Sequence, residues 1–159
     1  MAGRQTLSDV HHQYSHGDIV VRKTTEEDLV AFYPSRLDRL EAKAAGVPSR
    51  IPNVDESMLT VCLKGFEEAP LIIGGNQGDR VWFVTSTEVQ GLSGKLKWSI
   101  RNVLVQHRDY LLTKYETLWN YMYLPNTPHV EFLVSIGAVF HYHTVTPDNF
   151  IMFTINKEV

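Results

Sequence analysis

The sequence predicts one α/β domain: a mixed, mostly antiparallel central sheet flanked by helices on both faces. Three observations predict it. Apolar runs at residues 58–64, 71–73 and 81–84 read as an antiparallel three-strand meander. A long apolar stripe at helical spacing, residues 92–115, follows and reads as a crossover helix. A further strand pattern at residues 118–123 comes after it, so the helix carries the chain back to the same sheet and makes that sheet mixed.

The elements follow in order. Residues 1–17 are polar and rich in Ser, Gln and His, and read as a flexible N-terminal arm. His11, His12 and His16 lie there with no carboxylate or cysteine placed to complete a metal site, so they read as tail residues. The single domain is expected over residues 18–159. Asp18–Lys23 is a strand. Thr25 then caps a helix from Glu26 to about Tyr33, with Glu26, Glu27 and Asp28 suited to its positive end. Pro34 stops it. A second helix, Leu37–Ala45, closes at Gly46.

In Met58–Lys64, Leu59, Val61 and Leu63 face one way and Thr60, Cys62 and Lys64 the other. Gly74–Asp79 is turn chemistry. The long helix carries Leu92, Leu96, Ile100, Val103, Leu104 and Leu111 on its inner stripe. Its outer face holds Lys95, Lys97, Arg101, Arg108 and Lys114 against Asp109 and Glu116, which reads as a solvated face. Leu118–Tyr123 is a strand. Thr127 is the cap candidate of a helix over Val130–Ile136, with Pro128 suited to the first helical position and Gly137 at its end. Strands over 138–145 and 150–155 close the chain around Thr146–Asn149. His141 and His143 share a strand face but have no third ligand nearby in sequence, so they read as surface residues and no metal is expected.

Composition narrows the function classes. The chain has 159 residues and a net charge of −3, which offers no global field to nucleic acid or to a membrane surface. No apolar run approaches the ~20 residues of a membrane span, and the N-terminus shows no signal-peptide core. The one cysteine, Cys62, cannot form an internal disulfide and fits a reducing cytosol. Within its strand it reads as inert.

The order β-α-α-β-β-β-α-β-α-β-β resembles that of the GCN5-related N-acetyltransferase fold. Ile19–Leu29 is similar to that superfamily's opening strand and helix. Asn126, Phe132-Leu133 and Gly137-Ala138 are similar to its late loop and helix. The resemblance implies acetyl-CoA, whose pyrophosphate would sit on free amides at the start of the long helix. The superfamily's loop reads Arg/Gln-x-x-Gly-x-Gly/Ala; counting from Gln90, Ser93 stands where the first Gly belongs and Lys95 where the Gly or Ala belongs. Gly91 and Gly94 are out of register. If the chain is an enzyme, Gln90, Gly91, Ser93, Gly94, Lys95 and Asn126 are the cofactor residues implied. Glu88 is then the candidate base, and Tyr121, Tyr123 or His129 the candidate acid. Each also has an ordinary structural reading, and those readings are preferred: a degenerate fold with no cofactor.

A second resemblance is more specific. Leu40–Gly46, Ile73–Asn76, Trp82–Ser86, Leu92–Lys95, Thr117–Tyr121 and Ile136–His141 are similar to segments of the internal virion protein A (gene thirteen product) family of T7-type short-tailed phages. They fall in order across residues 19–157. The family implies a virion morphogenesis protein, acting in the host cytoplasm with other phage virion or internal core proteins; the virion is the alternative location. It implies no established reaction. The alternative expectation is an acetyl-CoA-dependent N-acyltransferase modifying a host or phage substrate.

Overall fold

The computed structural model describes residues 11–157. The elements are β1 (Tyr14–His16), β2 (Ile19–Lys23), α1 (Glu26–Ala31), α2 (Arg36–Ala45), β3 (Leu59–Leu63), β4 (Phe66–Gln77), β5 (Arg80–Thr85), α3 (Gly94–Leu112), β6 (Thr117–Tyr123), α4 (Thr127–Ser135), β7 (Val139–His141) and β8 (Phe150–Asn156). Among the described residues, eight strands form one sheet in the order β1-β2-β3-β4-β5-β6-β8-β7. Every neighbouring pair is antiparallel except β5–β6, which is parallel. The expected mixed sheet is therefore present, with its one parallel step at the α3 crossover.

Both faces of the sheet are covered. On one face α3 sets Ile100 and Val103 against Ile19, Val21, Val61 and Ile72. On the same face Leu111 and Leu112 of α3 join Leu133 and Ile136 over Leu118 and Phe153. On the other face Phe32 packs on Met58 and Ile73, with Leu29 of α1 and Trp82 alongside. Successive residues Ile72 and Ile73 belong to different clusters, as strand alternation requires.

Several expectations are corrected. The flexible arm was expected over residues 1–17; residues 1–10 lie outside the described residues, but Tyr14–His16 form strand β1 on β2. Three long-range contacts dock this segment. The Tyr14 hydroxyl bonds His107 Nδ1 at 2.9 Å, His16 Nδ1 bonds Ser99 Oγ at 2.9 Å, and His12 pairs with Glu67. Polar residues at an edge carry no apolar signature, and their partners lie ~50–90 residues away, which local patterning does not see.

Gly74–Gln77, expected as turn, instead extend β4, and the turn is only Gly78-Asp79. The two glycines in that strand answer to packing. A Cβ on Gly74 would stand 2.9 Å from the Trp82 carbonyl oxygen, and one on Gly75 would stand 3.0 Å from the Trp82 ring. The Thr127 cap is also corrected: Asn126 is the N-cap of α4 and Thr127 its first residue. The closing strand breaks after His141 into a short 3-10 turn, Tyr142–Thr144. The Thr25 cap is present, as a reciprocal box in which Asp28 N–H donates to Thr25 Oγ1 at 3.3 Å and Thr25 N–H donates to Asp28 at 2.9 Å. Gly46 ends α2 in the left-handed conformation, φ +71°.

Candidate functional site

The site grows from the one irregular join in the sheet. Strands β5 and β6 pair at a single register position, Arg80 with Trp119, and then part. Asn120 fills the start of the gap. Its Nδ2 donates to the Val81 carbonyl at 2.8 Å, and its Oδ1 accepts from Arg80 Nε at 3.1 Å. Neighbouring Trp119 donates its indole N–H to Asp79 at 2.9 Å.

Farther along, helix α2 occupies the opening. The connection into it runs beside β5: Pro34 bridges Ser86, and Ser35 N–H donates to the Thr85 carbonyl at 2.8 Å. Ser35 then caps α2 through the Asp38 amide at 3.3 Å. Asp38 Oδ2 accepts from the Thr85 amide and from Thr85 Oγ1, both at 2.7 Å. One turn later, Glu41 Oε1 accepts from the Tyr123 amide of β6 at 2.8 Å. Two carboxylates of one helix thus bind main-chain donors on the two parted strands.

The N-terminus of α4 completes the cluster. Asn126, 3% exposed, donates Nδ2 to Asp38 Oδ1 at 2.7 Å. His129 Nδ1 lies 3.5 Å from the same oxygen, and its ring packs on Phe83 with centroids 4.0 Å apart. One ligand atom from each of Asp38, Glu41 and His129 falls within 4.8 Å of the others. Burial works to raise the Asp38 carboxyl, but the His129 contact and the Thr85 bonds outweigh it and hold it below the ordinary value. At Glu41 burial prevails, against His129 and the Tyr123 amide, and raises that carboxyl.

A cleft of about 690 Å³ opens beside this cluster, lined by Arg36, Thr85, Gln90, Lys97, Asn126 and His129 among others. It gathers three of the residues singled out by sequence: Gln90, Asn126 and His129. The others lie elsewhere. Glu88 is exposed in the turn after β5, and its side chain makes no capping bond. Tyr121 is exposed and stands edge-on to Trp119 at 6.5 Å. Tyr123 packs on Phe150 at 5.4 Å. Gly91 and Lys95 are exposed, and Gly94 is the first residue of α3.

Ser93 caps α3 with its own hydroxyl, which accepts the Leu96 amide at 3.2 Å, and its carbonyl accepts the Lys97 amide at 3.0 Å. Lys97 Nζ binds the Gln90 carbonyl at 2.9 Å and ties the loop to the helix. His143 is exposed in the 3-10 turn, and His141 bonds Thr154 Oγ1 at 2.7 Å. Cys62 is fully buried and its thiol is pushed up to about 12, chiefly by burial.

Sequence reasoning missed Asp38 and Glu41. Their i, i+3 spacing places them together on α2, yet a carboxylate pair on a short helix reads as solvated. Here the pattern is inverted: Asp38 is buried while Leu40 is exposed.

The chain is similar to known proteins in sequence and in fold. The sequence model of the family described as "Bacteriophage T7, probable scaffold protein Gp13" matches residues 59–144. "Probable scaffold protein gp13" of Escherichia phage T7 is 47% identical over 139 residues, 87% of this chain and 98% of that protein. Among solved structures, an acetyltransferase from Agrobacterium tumefaciens superposes with a TM-score of 0.65 at 15% identity, covering 98% of this chain and 100% of that one. A GNAT-family acetyltransferase from Bacillus anthracis gives 0.61 at 15% identity, covering 92% and 97%. The fold is therefore that of the GCN5-related N-acetyltransferases; identities this low carry the fold and nothing of the chemistry.

Proposed function

The chain belongs to the bacteriophage T7 probable scaffold protein Gp13 family, and from that premise we propose that it is a non-catalytic assembly protein of phage virion morphogenesis. It acts in the host cytoplasm and engages other virion proteins, including the internal virion proteins that the sequence resemblance names. It transfers no acyl group and needs no acetyl-CoA.

One observation carries the non-catalytic part. A coenzyme lying between parted strands needs their edge amides, and here those of Thr85 and Tyr123 are bound by Asp38 and Glu41. At the helix end that would hold its pyrophosphate, Ser93 already takes one of the free amides, that of Leu96. Crosslinking and mass spectrometry from infected cells tests the assembly part. The expected result is crosslinks to phage virion proteins; crosslinks to host proteins alone would overturn it.

The cleft favours a second reading, an acetyl-CoA-dependent N-acyltransferase using Gln90, Asn126 and His129. A saturable rise in melting temperature at micromolar acetyl-CoA is what that reading requires.

A further inference from the structure

We propose that Asp38, Glu41 and His129 bind one divalent transition-metal ion of the zinc type, joining α2 to α4 at the parting of β5 and β6. The ligand types and their spacing come first. An imidazole and two carboxylates suit such an ion, and one atom from each already lies within 4.8 Å of the others. The 3.5 Å between His129 Nδ1 and Asp38 Oδ1 is close to the edge of a tetrahedron whose bonds are ~2.0–2.1 Å.

The second observation is the state of His129. Its side chain is 8% exposed. The polar atoms facing Nδ1 stand at 3.4 Å (Asn126 Nδ2) and 3.5 Å (Asp38 Oδ1), beyond the ~2.7–3.2 Å of a proper hydrogen bond. A nine-tenths buried imidazole therefore faces Asp38 and Asn126 through long contacts alone.

Charge and orientation agree. Among the described residues no lysine or arginine forms an ion pair with Asp38 or Glu41, so two largely buried carboxylates share a single imidazole. A divalent cation would favour the charged form of both carboxylates against their burial. Each carboxylate is also held by one oxygen only from the strands: Asp38 Oδ2 by Thr85, Glu41 Oε1 by Tyr123. Such outer contacts orient a ligand; the other Asp38 oxygen accepts from Asn126 Nδ2 at 2.7 Å, a bond that the ion would replace. A half-turn of the Asn126 amide presents its oxygen at the same point, and the adjoining cleft gives an entry path and room for a water ligand.

Isothermal titration of the full chain with Zn²⁺ near neutral pH tests this. One ion per chain is expected, with Glu41→Gln and His129→Ala each weakening binding by more than ~100-fold, the upper end for outer-shell changes. Glu41→Gln keeps an acceptor for the Tyr123 amide, so its fold is retained, and circular dichroism checks it. Combined His12→Ala, His141→Ala and His143→Ala is expected to leave the tight site intact. No saturable binding would overturn the proposal. Binding that survives Glu41→Gln and His129→Ala but is lost with the surface histidines would overturn it as well.

Discussion

Glu41 accepts the main-chain amide of Tyr123 at 2.8 Å, so that helix α2 holds the edge of β6 where it has already left β5. With Asp38 doing the same for Thr85 on β5, the helix acts as a wedge bonded on both sides. Glu41→Leu is expected to leave that amide buried without an acceptor and to cost about 1–3 kcal/mol. Glu41→Gln is expected to stay within about 1 kcal/mol of the parent. Urea unfolding of both variants measures the difference, and equal losses would mean that the bond to Tyr123 contributes nothing.

Arg22 and Asp28 form a buried bidentate pair at 2.6 and 2.8 Å, joined by Thr60 at 3.0 Å. Burial works to raise the Asp28 carboxyl; the Arg22 bond and charge, the Thr25 amide and Thr60 outweigh it, and the net direction is down. A carboxylate lowered on folding contributes its stability above its unfolded value of 3.8, and that stability is lost as pH falls through and below it. Urea midpoints should therefore drop as pH falls below about 4. Asp28→Ala strands the Arg22 charge and is expected to cost about 3–5 kcal/mol.

His107 titrates in a different window. Burial first, and then Lys23, lower it from 6.5 to about 4. The unfolded chain binds the proton between those values and the folded chain does not, so stability is full above 6.5 and falls as pH drops toward 4. At ~1.4 kcal/mol per unit the full effect is roughly 3 kcal/mol. His107→Gln should flatten the urea-midpoint profile between pH 6.5 and 4. Tyr14→Phe removes the hydroxyl bonded to His107 and should cost about 1 kcal/mol, registering how firmly β1 is docked.

Gly74→Ala places a Cβ 2.9 Å from the Trp82 carbonyl oxygen and 3.1 Å from Phe83 Cβ. Main chain cannot swing aside as a long side chain can. The expected loss is about 1–3 kcal/mol, read from thermal or urea unfolding. Gly91→Ala, with nothing within 4 Å of the new carbon, is the control and should unfold like the parent.

The fold was legible where signals are local. Thr25 with Asp28, Gly46, and the alternation of Leu59, Val61 and Leu63 each state their structure within a few residues. The site was legible only in pieces. Asn126 and His129 stood out by resemblance, and Gln90 by its loop. The convergence of Asn126 and His129 on Asp38 and Glu41 spans ~90 residues, and it depends on the parting of two strands that no periodicity encodes. The same reason hid β1, whose three residues are polar and half-exposed and are placed by Val21, Ser99 and His107.

The most direct measurement is isothermal titration of the full chain with acetyl-CoA, since Asp38 and Glu41 hold the amides of Thr85 and Tyr123 on the two parted strands and Ser93 holds that of Leu96. No saturable heat up to millimolar coenzyme is the predicted result. One-to-one binding at micromolar concentration, weakened by His129→Ala, would contradict it.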